Sequence, residues 1–278
     1  MRLTIEHQTQ YVYSEMVPYT IQQLRLTPRT DPRQQVRHWE IKAAGQLTPF
    51  ADAFGNLAHT LVVDQPHQAL LITVSGEVET GAATSAATAS LPVTVFLRDT
   101  PLTQPDDAIM AFAKDFAHAP AQALMQALRD RMQYSKGATE VNTPAALAFE
   151  LGKGVCQDHA HAFIACCRSL GWPARYVSGY LFTEDGSLMQ THAWVEVWQQ
   201  ETWLGLDVSN GIPVDETHVK LAVGLDYRSA SPVTGSRMGG GQEGMASMVS
   251  VNRQTALSEA QRQAHLQQLR EQAQAAQQ

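Results

Sequence analysis

The chain of 278 residues contains only three cysteines, no long hydrophobic run and no cluster of basic residues. Cys156, Cys166 and Cys167 cannot all pair, which excludes the disulfide framework that holds small secreted domains together. No apolar stretch approaches the ~18 residues a membrane-spanning helix needs. Met1-Arg2-Leu3-Thr4-Ile5-Glu6-His7 turns polar at once, so neither secretion nor a membrane partner is expected. Lysine and arginine number 20 against 27 acidic residues, a net charge of −7, which argues against a nucleic-acid partner. Paired Cys-x-x-Cys and His-Glu-x-x-His spacings are absent, and neither a metal nor a cofactor is expected. The nearest approach to a metal set, Cys156, His159, His161 and Cys166, lacks such spacing, and His159 and His161 belong to different faces of a helix. A nucleophilic thiol needs reducing surroundings, so the expected compartment is cytoplasmic.

What the chain does hold is a thiol in a telling place. Cys156 lies in Gly154-Val155-Cys156-Gln157-Asp158-His159-Ala160-His161, directly ahead of an apolar run that reads as a buried helix. Unpaired N–H groups and the positive end of the macrodipole at a helix N-terminus favour the thiolate, the form that attacks. Thr191-His192-Ala193-Trp194-Val195-Glu196-Val197 alternates as a strand, and Trp203-Leu204-Gly205-Leu206-Asp207 reads as the next. The break at Gln199-Gln200-Glu201-Thr202 suits a hairpin loop that sets His192 and Asp207 near one end of neighbouring antiparallel strands.

The chemistry asks for these residue types. A thiol at its ordinary pKa of ~8.5 is only slightly ionised near pH 7; an imidazole in reach takes its proton, and a carboxylate on the other ring nitrogen fixes the tautomer. Singly, a cysteine is usually core, a histidine near a strand start structural, and an aspartate after a strand a turn residue. In this order and context they supply nucleophile, base and orienter. Cys166 and Cys167, amid Phe163, Ile164 and Ala165 on the same predicted helix, read as buried small apolar groups.

Four ordered segments resemble the transglutaminase-like superfamily: Gly154 to Asp158, Gly171-Trp172-Pro173-Ala174-Arg175-Tyr176-Val177-Ser178-Gly179-Tyr180, His192 to Glu196, and Trp203 to Asp207. Arg2 to about Glu79 resembles the β-sandwich that precedes that core in bacterial members, with Asp52-Ala53-Phe54-Gly55-Asn56 its most recognisable stretch. The resemblance implies a papain-type triad of Cys156, His192 and Asp207 and covers all but the last ~25 residues, a tail that composition also sets apart. The family often continues its aspartate as Asp-Pro-Thr-Asn, where this chain has Asp207-Val208-Ser209-Asn210, and often has an aromatic at the place of His159.

The expected fold is α+β. An antiparallel sandwich occupies residues 1–90, with strands near His38 to Lys42, Leu57 to Val63 and Ala69 to Glu77. Gly81 to Ser90, low in complexity, reads as a linker, with the boundary near 90 or at Pro101. A catalytic core spans 91–252, with helices over Asp106 to Phe116 and Pro120 to Gln133, a third from Thr143-Pro144 that delivers the chain to Gly152, and a nucleophile helix packed on an antiparallel sheet. Gly235 to Gly241 reads as a hairpin loop before a last strand, Met245 to Val251. Residues 253–278, rich in Gln and Ala, form a tail. The sandwich is expected to govern access or hold a partner without supplying a catalytic group.

Three functions fit. A cysteine hydrolase forms a thioester from a peptide, isopeptide or side-chain amide and passes it to water; a transglutaminase passes the same thioester to an amine; a binding module uses the fold without chemistry. The complete triad argues against the last, and the absence of an evident amine pocket favours hydrolysis.

Overall fold

The computed structural model describes residues 1–81, 91–184 and 191–253. The predicted linker, Gly81 apart, and the tail from Thr255 lie outside these residues. The chain opens with β1 (Arg2–Val17), β2 (Tyr19–Thr27), β3 (Gln34–Ala43), β4 (Gln46–Ala51), β5 (Leu57–Val63) and β6 (His67–Thr80). In β1 the alternation is plain: Leu3, Ile5, His7 and Thr9 are buried, while Glu6, Gln8 and Gln10 are exposed. Strands with one wet face pair antiparallel and stack apolar face to apolar face.

A turn of 3-10 helix (Val93–Leu97) leads to α1 (Asp107–Lys114), α2 (Ala121–Arg131), β7 (Gln133–Tyr134), α3 (Ala145–Leu151), β8 (Lys153–Gly154) and α4 (Cys156–Ser169). The sheet strands β9 (Ala174–Leu181), β10 (His192–Gln199), β11 (Thr202–Asp207), β12 (Ile212–Pro213) and β13 (His218–Gly224) follow, then α5 (Tyr227–Ala230), β14 (Val233–Met238) and β15 (Glu243–Arg253). The order is the expected α+β one, an antiparallel sandwich followed by a helix-on-sheet core. The five-stranded sheet runs β12-β11-β10-β9-β13. Buried Phe163, Ile164, Cys166 and Cys167 of α4 share a core with Tyr176, Val195, Val197 and Leu206 of that sheet and with Leu124 and Leu128 of α2.

The expected boundary at residue 252 differs from the structure. The two sandwich sheets run β15-β1-β6-β3 and β14-β2-β5-β4, so the last two strands return to the N-terminal unit. The β14 strand pairs with β2 from Val233↔Leu24 to Met238↔Tyr19, and β15 pairs with β1 from Leu3↔Arg253 to Tyr13↔Glu243. Alternation marks a segment as a strand but does not name its sheet, and the free edges of β1 and β2 are satisfied only by pairing. The glycine-rich stretch is accordingly a crossing between the two sheets and not a hairpin within one: Gly239, Gly240 and Gly241 have φ of 66°, 88° and 61°.

The two units share a core. Tyr180, Val219 and Leu221 of the five-stranded sheet are buried together with Leu3, Ile5, Leu24 and Leu26 of the sandwich. A buried ion-pair cluster lies across the same junction: Lys220 Nζ is 3.0 Å from both Glu196 Oε1 and Asp31 Oδ2, and Arg175 bonds the other oxygen of Glu196. Burial raises the pKa of Glu196, but Arg175 and Lys220 outweigh it and bring the carboxyl down to about 2.

Candidate active site

The nucleophile helix is aimed by the turn before it. Gly154 allows a close approach: a Cβ there would stand 2.5 Å from Cβ of Asp158. The Asp158 carboxylate accepts the Val155 N–H at 2.8 Å and the Thr139 hydroxyl at 2.7 Å, closing the first turn of α4. Cys156 is therefore the first residue of a helix of 14 residues and is half-buried, its thiol beside unpaired N–H groups.

His159 is one turn further along. Its Nδ1 meets Val155 O and its Nε2 meets Met132 O, each at 2.9 Å, and its ring stacks on Tyr134 with centroids 6.3 Å apart. The parallel pairing Tyr134↔Gly154 sets that tyrosine next to the nucleophile turn. The histidine that replaces a family aromatic is thus a clamp between β7 and α4. His161 points elsewhere, accepting the Tyr227 N–H at 3.0 Å, and Cys166 and Cys167 are buried, so the alternative metal set does not converge.

The candidate base and orienter, His192 and Asp207, come from the predicted hairpin. Gln199↔Thr202 closes a two-residue turn, Val195 pairs with Leu206, and His192 and Asp207 fall at one end. His192 Nε2 donates to Asp207 Oδ2 at 2.7 Å, and the Cys156 thiol is the imidazole's other hydrogen-bonding partner. Because Nε2 is spent on the carboxylate, Nδ1 is the nitrogen left for sulfur. Burial lowers the His192 pKa, but Asp207 and Cys156 outweigh it and hold the ring at about 10, so it carries a proton at neutral pH.

Asp207 is buried, which raises its pKa, yet donors from His192 and His218 hold the carboxyl well below the usual carboxylate range. The turn that lacks the family proline is built from side chains. Ser209 Oγ and Asn210 N–H donate to Oδ1 at 3.0 and 3.2 Å, and Asn210 Nδ2 donates to Oδ2 at 2.6 Å.

His218 is also here: its Nε2 lies 3.2 Å from the same Asp207 Oδ2. Nothing in the spacing of Thr217-His218-Val219 marks it, because the contact depends on where β13 enters the sheet. His192, Asp207 and His218 are the one trio of potential metal ligands among the described residues, with donor atoms within 4.8 Å. Three N–H groups already converge on Asp207 Oδ2, which fills that oxygen without an ion.

Cys156 and His192 open onto a cleft of about 790 Å³. One wall comes from the core, with Tyr134, Lys136 and Thr191; the other comes from the sandwich, with Gln8, Gln10, Leu71 and Met248. The sandwich thus shapes the cleft while Cys156, His192 and Asp207 all come from the core. Lys136 is the one lining lysine, and no carboxylate lines the cleft among the described residues.

A thiol at a helix tip, with an imidazole and a carboxylate from adjacent antiparallel strands, defines a papain-type site on an α+β core. Residues 107–208 match the transglutaminase-like superfamily and residues 3–79 match the bacterial transglutaminase-like N-terminal region. An uncharacterised protein of Mycobacterium tuberculosis is 31% identical over 273 residues, covering 84% of this chain and 87% of the relative. A protein-glutamine gamma-glutamyltransferase of Pseudomonas aeruginosa is 31% identical over 147 residues, 45% of this chain and 22% of that protein. The solved structure of a candidate cysteine protease from Cytophaga hutchinsonii superposes with a TM-score of 0.76 at 20% identity, covering 93% of this chain and 92% of that one. The chain belongs to the transglutaminase-like superfamily.

Proposed function

We propose that the protein is a cysteine-dependent amide hydrolase that cleaves a peptide, isopeptide or side-chain amide through a thioester. Sulfur of Cys156 attacks the carbonyl carbon, and the oxyanion is received by the Cys156 backbone N–H at the tip of α4. His192 passes its Nδ1 proton to the departing amine as the C–N bond breaks and the thioester forms. His192 then takes a proton from water, hydroxide adds to the thioester, and the C–S bond breaks to release the acid and restore the Cys156 thiolate beside protonated His192. Asp207 keeps the Nε2–H of His192 in place throughout and transfers no proton.

The observation that favours water over an amine is the lining of the cleft. An amine acceptor arrives from solution as an ammonium ion, and none of the described residues lining the cleft is a carboxylate that would collect it, whereas Lys136 repels it. The second reading, transfer to an amine, is supported by the likeness to the Pseudomonas enzyme. Incubation with a library of peptides and isopeptides, with and without added primary amine, and mass analysis of the products separates them. Hydrolysis predicts free acid in both arms and none with Cys156→Ala; an amine adduct as main product would overturn it.

The three free cysteines fit a reducing compartment, and we place the protein in the cytoplasm on that ground. No helix among the described residues is long and apolar enough to cross a membrane.

A further inference from the structure

His218 begins β13, which is separated from β11 in the sheet by β9 and β10, yet its side chain reaches the carboxylate at the end of β11. The ring is fully buried and packs edge-on against Trp194, with centroids 5.3 Å apart; His192 lies 6.2 Å away by the same measure. A carboxylate only accepts, so the Nε2 of His218 carries a hydrogen and donates it to Asp207 Oδ2. On its other side Nδ1 faces Asp215 Oδ1 and Thr217 Oγ1, both at 3.1 Å, and the Asp215 N–H at 3.3 Å. Asp215 is about half exposed, so the line of contacts runs from the sulfur in the cleft through His192, Asp207 and His218 to a solvent-exposed carboxylate.

This arrangement does something the local turn does not. Ser209 and Asn210 hold Asp207 from its own loop, and that loop has no proline to stiffen it. His218 holds it from another strand, with a ring whose orientation is set by Trp194 on one face and by Asp215 and Thr217 at Nδ1. A carboxylate anchored from two elements has less freedom to swing away from the imidazole it must orient.

We propose that His218 is a positioning residue of the site: its Nε2–H fixes Asp207 Oδ2 on the Nε2 side of His192. The proposal rests on reading Cys156, His192 and Asp207 as catalytic, but it assigns a role to a residue outside that triad. Packing against Trp194 is the competing reason for a buried ring at this place, and chemistry separates the two. Glutamine puts an N–H donor near the position of Nε2. Asparagine puts one near Nδ1 and stops short of Asp207. Phenylalanine keeps the ring and donates nothing.

The test needs no substrate. The second-order rate of Cys156 alkylation by iodoacetamide near pH 6.5 is measured for the full chain and for His218→Gln, His218→Asn and His218→Phe, each checked for folding by thermal denaturation. His218→Asn and His218→Phe should lose about tenfold or more, the scale of one hydrogen bond to a charged group, while His218→Gln should stay within about threefold of wild type. Full retention in His218→Phe would show that packing is the role, and equal losses in His218→Gln and His218→Asn would remove the Nε2 contact from the account. Should His218→Phe fail to fold, the glutamine and asparagine pair decides alone. His192→Ala in the same assay keeps the two levels apart: an unchanged rate there would overturn the catalytic reading itself, whatever His218 does.

Discussion

Asn56 and Val223 exchange a pair of hydrogen bonds, Asn56 Nδ2 donating to Val223 O at 2.8 Å and the Val223 N–H donating to Asn56 Oδ1 at 2.9 Å. An amide side chain of the sandwich thereby stands in for a neighbouring strand at the edge of the five-stranded sheet. Asp52 sets it there, accepting the N–H groups of Phe54 and Asn56 and the Asn56 side chain, and is itself held by Arg25 at 2.8 Å. Phe54 completes the contact against Val177, Trp194 and Val223. The most recognisable stretch of the N-terminal unit is thus a docking device. Asn56→Ala leaves two buried backbone groups unpaired and should cost about 2–4 kcal/mol, read as a lower urea midpoint with a single transition for both units. Two separate transitions would show that the units do not unfold together.

Cys156 should be the one reactive thiol. Burial pushes the Cys166 pKa up to about 12 and that of Cys167 well above its usual value, which leaves both as protonated core residues. Substoichiometric iodoacetamide near pH 6.5 followed by peptide mapping should find label on Cys156. With a turned-over substrate in hand, Cys156→Ala and His192→Ala should each abolish hydrolysis, and Asp207→Asn should leave a small residue of activity. The double variant should be hardly worse than Cys156→Ala, because the members act as a unit. Activity near wild type in His192→Ala would remove it as the base.

Much of this was legible in the sequence because it is local. The helix tip at Cys156, the hairpin carrying His192 and Asp207, and the alternation of β5 all follow from residues close together in the chain. The roles of Gly154 and Asp158 in the first turn of α4 became visible only in the structure. What else escaped is non-local. Val233 to Met238 and Glu243 to Arg253 alternate like any strand, and only the empty edges of β1 and β2 assign them to the sandwich. His218 joins Asp207 across two intervening strands, a contact no spacing encodes. Where the family often has a proline after Asp207, the side chains of Ser209 and Asn210 hold the turn instead.

Two buried histidines make the fold sensitive to acid. His7 bonds Tyr180 Oη at 2.9 Å, Thr9 Oγ1 at 2.9 Å and Ser247 Oγ at 3.0 Å, and burial lowers its pKa to about 4; burial lowers His161 to about 4 as well. Both titrate near 6.5 in the unfolded chain. Below that pH the unfolded state takes up protons the folded state refuses, so stability present above 6.5 is lost as pH falls through 4, about 2–3 kcal/mol per histidine by pH 4.5. His192, raised to about 10, works the other way and gains less than about 1 kcal/mol between pH 7 and 4.5. Urea midpoints should therefore drop between pH 7 and 4.5, and His7→Gln should flatten the drop by roughly half. An unchanged slope in that variant would acquit His7.

The hairpin that carries His192 and Asp207 turns on Gln200 and Glu201, whose φ values of 49° and 60° place two side chains in the left-handed region. That is the conformation of a type I′ turn, which asparagine followed by glycine adopts at least cost. Each ordinary residue there bears a penalty of about 1 kcal/mol that glycine avoids. Neither side chain belongs to the site, since His192 and Asp207 lie at the opposite end of the two strands. Replacing Gln200 and Glu201 by Asn and Gly should therefore stabilise the protein by about 1–2 kcal/mol, seen as a higher denaturation midpoint, while leaving the rate of Cys156 alkylation at its wild-type value. A stabilised protein with a slower thiol would mean that strain in this turn helps set the register of His192 against Cys156; no gain in stability would mean that the strands, and not the turn, hold the hairpin closed.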